Sequence, residues 1–265
     1  MRASGFGSGT VRAVSSTDQP VFRATFGRSV ALLSAFRKEQ SDPDVFYGAL
    51  ARDSAAQVGS YLPLAGARVL DVGGGPGYFA DAFEARGATY LPLDADAGEL
   101  SLHGRDPGPR TVLGDGAALP FASGAFDVAY SSNVAEHVRD PWLMADEMVR
   151  VTRPGGLVFL SYTLWFGPWG GHETAPWHYL GGHRAAQRYT ARHGHPPKNV
   201  YGESLFRTTA SAGARWAAAR REDGSLADVR LVPRYLPRWA SAVARVPGVR
   251  EVACWNFVVV ARRRR

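Results

Sequence analysis

The segment VLDVGGGPG at residues 69–77 decides the fold of this chain. Apolar residues lead through Asp71 into a turn, and that turn contains Gly73, Gly75 and Gly77. Glycine lets the backbone turn sharply and approach a ligand closely. The segment therefore predicts a nucleotide-type pocket at the carboxyl end of a first parallel strand, just before a helix.

Two carboxylates distinguish this turn from one that binds a dinucleotide. Asp71 lies two residues before the first glycine, and Asp94 ends the next apolar strand about 20 residues further on. A pyrophosphate prefers a helix N-terminus without a nearby anion, so Asp71 favours a cationic ligand instead. Asp94, which only accepts hydrogen bonds, suits the two hydroxyls of a ribose. The alternative is an ordinary strand-to-helix turn in which Asp94 caps the helix.

The rest of the chain alternates between strand and helix patterns. Five strands are predicted, over residues 68–72, 89–93, 111–113, 126–131 and 157–163, with helices between several of them. An antiparallel pair is predicted near residues 228–232 and 255–261. The pattern predicts an α/β fold with a doubly wound, seven-stranded, mostly parallel sheet, in which RPGG at residues 153–156 is a tight turn into the fifth strand.

Two further motifs fall at predicted strand ends. GDGA at residues 114–117 precedes LPF, and FDVAYSSNVAEHV occupies residues 126–138. With the glycine turn and its two acids, these motifs resemble the class I S-adenosylmethionine-dependent methyltransferases, in the group with a type 11 methyltransferase domain. Residues 72–79 and 131–138, together with the glycine- and histidine-rich segment after the fifth strand, resemble those of actinobacterial methyltransferases linked to cell-envelope glycolipid assembly.

The resemblance implies S-adenosylmethionine as cofactor and assigns its contacts. Asp71 would hold the methionine amino group, and Asp115 would accept from the adenine amine, unless Asp115 is a turn aspartate that binds its own backbone. The implied cofactor-binding residues are Asp71, Gly73, Gly75, Gly77, Asp94, Asp115, Gly116, Ser132 and Asn133.

Three histidines are candidates for catalysis. His137 could act as a general base because the pKa of free histidine lies near neutral pH, and Glu136 could orient it or contribute to a metal site; packing or capping is the alternative for His137. His172 and His178 belong to an aromatic segment that follows the fifth strand, where class I methyltransferases position the acceptor. Trp169, Glu173 and Tyr179 of that segment are predicted to bind substrate, and aromatic lid packing is the alternative.

No metal site is predicted from the histidine spacings. His193 and His195 are two residues apart, and His172 adjoins Glu173, whereas a helical zinc pair is spaced by four residues.

The length of 265 residues and the hydrophobic content of 45% suit one domain. The predicted division is a disordered N-terminus and a single methyltransferase domain at 21–265. The parts are 1–20 (disordered), 22–62 (helical cap, with Pro43 starting its second helix), 67–163 (cofactor-binding half), 164–209 (acceptor-binding insertion) and 210–265 (C-terminal strands and helix).

The amino-acid composition limits the expected cellular location and binding partners of the protein. Cys254 is the only cysteine and no run of about 20 apolar residues occurs, which favours a cytoplasmic protein. The net charge of +7 allows peripheral association with the inner face of an anionic membrane. Basic and aromatic residues at 232–239, continuing through 243–250 to the tail at 262–265, would make that contact, although a helix packed on the sheet is favoured there. Motifs for methylating a nucleobase are absent, so no nucleic-acid partner is predicted.

The predicted reaction is in-line methyl transfer to a small-molecule or glycolipid acceptor, at a hydroxyl oxygen. Nitrogen or carboxyl methylation of a natural product and noncatalytic S-adenosylmethionine binding remain alternatives. A nicotinamide oxidoreductase, which would use the same glycine turn, also stays open, but it is disfavoured because neither Lys38 nor Lys198 follows a tyrosine by four residues. The acceptor and the oligomeric state stay open.

Overall fold

Within the residues that the structure describes, seven strands form one sheet in the order β3-β2-β1-β4-β5-β7-β6. The computed structural model describes residues 22–38, 41–96, 98 and 110–264. All strands run parallel except β7, which is antiparallel to both β5 and β6. The strands are β1 (Arg68–Val72), β2 (Thr89–Asp94), β3 (Val112–Leu113), β4 (Phe126–Ser132), β5 (Thr152–Thr163), β6 (Leu226–Pro233) and β7 (Asn256–Arg263). The predicted fold class is confirmed.

Seven α-helices occur in the described part of the chain, and most cover the two faces of the sheet. They are α1 (Phe26–Phe36), α2 (Pro43–Tyr61), α3 (Ala80–Glu84), α4 (Pro141–Val151), α5 (Gly182–His193), α6 (Ala210–Glu222) and α7 (Val249–Ala253). Short 3-10 helices occupy Ala135–His137, His172–Thr174, Trp177–Leu180 and Arg238–Arg245. Two clusters of buried apolar side chains, one on each face of the sheet, form the core.

The direction of strand addition reverses between β1 and β4. The chain builds outward through β2 and β3 on one side, then returns to place β4 and β5 on the other. Ligands of doubly wound sheets bind at this reversal, outside the carboxyl ends of the strands. The glycine turn after β1 and the loop after β4 both lie there.

The fifth strand begins earlier than its apolar pattern indicates. β5 starts at Thr152, and its register against β4 shifts from the pair Phe126 and Thr152 to the pair Val128 and Leu157. Gly155 has a φ of 75° within this irregularity. The predicted tight turn is therefore a bulge inside the strand, because a bulge takes up extra residues without ending the ladder.

The N-terminal cap is two helices, as predicted. The side chain of Asp42 accepts a hydrogen bond from the Val45 amide, and Pro43 occupies the first helical turn of α2. Tyr47 of α2 stacks on Tyr78 at a ring distance of 4.6 Å, which brings the cap over the residues just after the glycine turn. The predicted disordered segment, 1–20, lies outside the described residues.

Short helices occupy Arg238–Arg245 and Val249–Ala253 of the segment where a packed helix is predicted, but over most of residues 232–239 the prediction is wrong. That stretch contains the end of β6, a turn and the start of a 3-10 helix, and Arg234 within it is buried. Arg262 and Arg263 of the basic tail belong to β7, and Arg263 donates to the backbone carbonyls of Arg150 and Thr152. Of the helices described, none has the length and apolar character needed to cross a bilayer.

Candidate functional site

Two glycines of the turn after β1 have different surroundings: Gly73 is packed against protein, and Gly75 faces open space. An added Cβ at Gly73 would lie 2.3 Å from Cγ2 of Val134, so this position must stay bare for the loop after β4 to pack. Gly75 has a φ of 51°, and its added Cβ would meet nothing within 4 Å. The turn therefore packs tightly against the protein at Gly73, whereas Gly75 leaves room for a ligand.

Asp71 is a buried carboxylate behind this turn. Its side chain accepts a hydrogen bond from the hydroxyl of Tyr90 on β2. Burial raises the pKa of Asp71 to about 7, with the Tyr90 hydrogen bond opposing the shift and the Asp94 charge adding to it. A cation placed beside Asp71 would stabilise its ionised form.

Asp94 fixes the shape of the turn from the end of β2. Its Oδ2 accepts from the amide of Gly75 at 3.0 Å, and its Oδ1 accepts from the amide of Asp96 at 3.1 Å. The amides of Gly73 and Gly74 donate to the Leu93 carbonyl. The contact that the resemblance gives Asp94, to a ribose, stays a prediction.

Ser132 and Asn133, at and just after the end of β4, are held by a buried polar network. Nη1 of Arg234 donates to the Ser132 hydroxyl at 2.7 Å. Nδ2 of Asn256 donates to Oδ1 of Asn133 at 2.6 Å, and the Ser161 hydroxyl donates to Oδ1 of Asn256 at 2.6 Å. Arg234 and Asn256 therefore fix the orientation of Ser132 and Asn133, the two side chains predicted to contact the cofactor.

Arg234 is the residue of this region that sequence reasoning missed. It is 1% exposed, and its guanidinium also donates to the hydroxyls of Ser54 and Ser161 at 2.6 and 2.8 Å. Burial by itself would lower the pKa of Arg234, but Tyr235 and Tyr130 raise it above its ordinary value. Basic and aromatic neighbours in the sequence indicate a surface position, so the chain carries no local signal for this burial.

Asp115 and Gly116 have local partners. Oδ1 of Asp115 accepts from the amide of Ala117 at 2.8 Å, as a turn aspartate does, and its side chain is exposed. An added Cβ at Gly116 would lie 3.1 Å from atoms of Met144 and Val72. Packing accounts for the glycine, and cofactor contacts at both positions stay predictions.

Asp127, at the start of β4, has a structural role. Its carboxylate accepts from the Arg68 amide at 2.8 Å and pairs with Nε of Arg153 at 2.5 Å, tying β1, β4 and the β5 bulge together. Burial raises the pKa of Asp127 somewhat, but these partners outweigh it and the net direction is downward.

Two of the three candidate catalytic histidines come together. His137, in the loop after β4, and His172, in the insertion, have ring centroids 5.0 Å apart. With Glu136 they form a group whose potential ligand atoms lie within 4.8 Å of one another. Burial lowers the pKa of His172 to about 4, with a smaller contribution from His137. The structure therefore creates a cluster that no local sequence pattern contains.

His178, the third candidate, lies in the interior of the insertion. It is 1% exposed, and its ring packs against the backbone of Gly171 and beside the rings of Trp165 and Tyr179. Burial lowers its pKa. These contacts favour a packing role, and a role in catalysis stays a prediction.

Of the predicted substrate-binding residues, Trp169 packs the insertion against its surroundings, and Glu173 and Tyr179 make hydrogen bonds within it. The Trp169 ring lies 5.3 Å from that of Phe36 on α1 and 4.6 Å from that of Trp255. Glu173 accepts from Nδ2 of Asn199 at 2.7 Å, and the Tyr179 hydroxyl donates to the carbonyl of residue 166 at 3.2 Å. Their role towards a substrate is not tested by these contacts.

A doubly wound sheet that carries one antiparallel strand between its fifth and sixth strands is the fold of the class I methyltransferases, and the glycine turn lies at the reversal of strand order, where such sheets bind ligands. The crystal structure of an S-adenosylmethionine-dependent methyltransferase from Mesorhizobium loti has this fold. It superimposes with a TM-score of 0.51 and 23% identity, over 80% of this chain and 98% of that one.

Sequence comparison identifies the family. The profile described as "Methyltransferase domain" matches residues 70–160. A protein of Mycolicibacterium gilvum (strain PYR-GCK), named as an uncharacterized methyltransferase, is 53% identical over 262 residues, 94% of this chain and 99% of the relative. A protein of Mycobacterium marinum with the same name is 51% identical over 254 residues, 92% and 97% of the two chains. The chain belongs to this family of methyltransferases.

The cofactor of this enzyme is S-adenosylmethionine, and the residues present fit it. Gly75 leaves open space at the turn, and the buried carboxylate of Asp71 gains from an ammonium group beside it. The cofactor prediction is confirmed, while the individual contacts remain proposals.

Proposed function

We propose that this enzyme methylates a hydroxyl oxygen of a small-molecule or lipid-linked acceptor. Glycolipids are among the acceptors that we propose. The cluster of Glu136, His137 and His172 carries the proposal. It begins two residues after Val134, whose methyl groups pack against Gly73, so it adjoins the cofactor turn. An ordinary hydroxyl needs help to lose its proton, whereas a neutral amine does not. A site with two imidazoles and a carboxylate suits the acceptor that needs this help.

On the cofactor side, the protein needs to position the methyl donor more than to activate it. S-adenosylmethionine supplies, when bound, a sulfonium methyl group that is already activated for displacement. Asp71 would bind the amino group of the methionine part, and Asp94 the ribose, while Ser132 and Asn133 would line the pocket on the β4 side. Because Arg234 and Asn256 hold these two side chains in place, the pocket is organised before ligands arrive.

Exposed apolar residues support a lipid-linked acceptor. Trp239 is 78% exposed, and Val246, Val249 and Val252 are each close to half exposed or more. Exposed arginines at positions 238 and 245 lie in the same stretch. Apolar side chains interspersed with arginines favour the surface of an anionic bilayer. We therefore propose peripheral association with the inner face of the membrane.

The test is methyl transfer from labelled S-adenosylmethionine into a cell extract that has been separated into aqueous and lipid fractions. We expect a labelled lipid that is stable to mild base, as an ether is and a methyl ester is not. His137→Gln should lower turnover at least about 100-fold, within the range for loss of acid-base help, with unchanged cofactor affinity. Label only on amines, or on base-labile esters, would contradict the proposal.

Membrane association is measured separately. Flotation with vesicles containing anionic phospholipid should recover the protein, and Trp239→Ala should reduce the floated fraction. Equal recovery with uncharged vesicles, or none with either, would contradict the membrane proposal and leave the oxygen proposal standing.

A further inference from the structure

We propose that Glu136, His137 and His172 bind a divalent transition-metal ion, and that Zn²⁺ is the ion this ligand set favours. Each side chain offers one ligand atom, and the three atoms lie within 4.8 Å of one another. Zn²⁺ bonds of about 2.0–2.1 Å in tetrahedral geometry place ligand atoms about 3.4 Å apart. Side-chain movements of about 1 Å would close the observed spacing around an ion.

The carboxylate of Glu136 is the first part of the argument. The residue is 1% exposed, and its Oε1 accepts from the Thr163 amide at 3.1 Å. Its Oε2 is buried and has no hydrogen-bond partner among the described residues. Burying an ionised carboxylate with one oxygen unpaired is unfavourable, and a cation at Oε2 would remove that cost.

The imidazole of His137 is held as a metal ligand usually is. Its Nδ1 lies 2.8 Å from the carbonyl oxygen of Ser204. A carbonyl only accepts hydrogen bonds, so Nδ1 carries the proton and Nε2 has a free lone pair. Ligating histidines commonly donate their other nitrogen to a backbone carbonyl in this way, which fixes both the tautomer and the ring orientation.

His172 completes the set from the other side. Its Nε2 is buried and lacks a hydrogen-bond partner in the described part of the chain. Its backbone has a φ of 48°, a conformation that costs a non-glycine residue energy. The amide of His172 donates to the Trp169 carbonyl at 2.9 Å, which anchors this turn and directs the ring to His137. Strain and an unpaired buried nitrogen at one residue point to a ligand.

The proposal departs from the sequence-based expectation of no metal. That expectation rested on spacings within the insertion, whereas this set joins the insertion to the loop after β4. Two histidines and one carboxylate leave at least one coordination position open for water or an oxygen ligand. Placing an acceptor hydroxyl there would lower its pKa, so with the ion bound His137 would assist proton loss as a ligand and not as a free base; this role alone rests on the proposed function.

Metal binding is tested on the full-length protein, with any purification tag removed and bound metal stripped by a chelator. Titration with Zn²⁺ should give one tight site, and Co²⁺ should give visible absorption bands of a four- or five-coordinate ion. Glu136→Gln keeps the shape and the hydrogen bond to Thr163 while removing the charge. It should weaken binding at least about 100-fold, beyond the loss of about 10- to 100-fold seen for outer-shell partners.

The matched control is His193→Ala/His195→Ala, which removes two exposed histidines of the same insertion that lie outside the cluster. It should retain one site of unchanged affinity. His172→Asn, which tolerates a positive φ, tests the third ligand and should behave as Glu136→Gln does.

No binding by the wild-type protein, loss of the site in the control, or wild-type affinity in both cluster variants would overturn the proposal. Cofactor affinity, measured in parallel, reports whether each variant is folded. Because the readout is metal binding, failure here is distinct from failure to find an oxygen-methylated product.

Discussion

The cofactor-binding half (residues 67–163) and the insertion (residues 164–209) are built by different means. In the cofactor half, the contacts of the glycine turn join the ends of two neighbouring strands, β1 and β2. The Gly73 amide donates to the Leu93 carbonyl, and Asp94 accepts from the Gly75 amide. In the insertion, side chains meet partners far away in sequence, as Trp169 meets Phe36. The geometry of the glycine turn is therefore set by backbone register, and that of the insertion by individual long-range contacts.

The largest expected effect is on the backbone of the cofactor half. Gly73→Ala places a Cβ 2.3 Å from Val134 at a φ of 79°. Overpacking and left-handed strain together should reduce the free energy of unfolding by about 2–5 kcal/mol. Urea denaturation measures this loss. A loss below about 1 kcal/mol would show that the turn is not fixed by packing as the comparison requires.

Gly75→Ala is the control within the same turn. Its φ is also positive, but its Cβ would meet nothing within 4 Å. We expect only the strain, about 1–2 kcal/mol, together with weaker S-adenosylmethionine binding because the methyl group occupies ligand space. Equal stability losses at the two glycines would remove the distinction between a packing glycine and a ligand glycine.

Asp71→Asn should give the next largest effect, on binding instead of folding. The variant removes the charge but keeps an oxygen that can accept from Tyr90. Loss of a charged hydrogen bond of about 1.5–3 kcal/mol corresponds to about 10- to 150-fold weaker S-adenosylmethionine binding, measured by calorimetry. Asp223→Asn, the same change at an exposed helix end, should leave affinity unchanged. Undiminished affinity in Asp71→Asn would contradict the proposed contact.

The pH dependence of binding should identify the same carboxylate. Asp71 in the ligand-free protein has a pKa of about 7, raised by burial, so below pH 7 it must lose a proton to bind an ammonium group. Affinity should rise about tenfold per pH unit from pH 5 to 6.5 and level off above 7. Asp71→Asn should show a flat profile over this range. A wild-type profile equally flat would mean that Asp71 ionises normally or does not contact the cofactor.

The same shift affects stability in the opposite direction. The folded-state pKa of Asp71 lies above the value of 3.8 that is ordinary for aspartate, so the folded protein keeps a proton that the unfolded chain releases between about pH 4 and 7. This group's contribution to the free energy of unfolding is therefore full below pH 4 and declines as pH rises to 7. Binding of a cation reverses that decline, and thermal unfolding with and without S-adenosylmethionine would measure both.

The difference between the two regions also explains what could be predicted from sequence. Strand β1 matches its predicted bounds, and β2 and β4 are each one residue longer, because apolar runs followed by glycine or acidic residues mark strand ends locally. Arg234 was missed because its hydroxyl partners come from α2, β4 and β5, far away in sequence. The meeting of His137 with His172 was missed for the same reason. Local patterns report register, and they do not report which distant side chains meet.

The smallest expected effect comes from the insertion. Glu173→Ala removes the hydrogen bond from Nδ2 of Asn199, which is 2.7 Å long and exposed. Exposed polar contacts contribute little, so stability should change by less than about 1 kcal/mol and S-adenosylmethionine affinity by less than about twofold. Glu203→Ala, at another exposed glutamate of the insertion, is the matched control. A tenfold loss of cofactor affinity in Glu173→Ala alone would mean that the insertion helps to shape the cofactor pocket, and the two regions would then be a single unit.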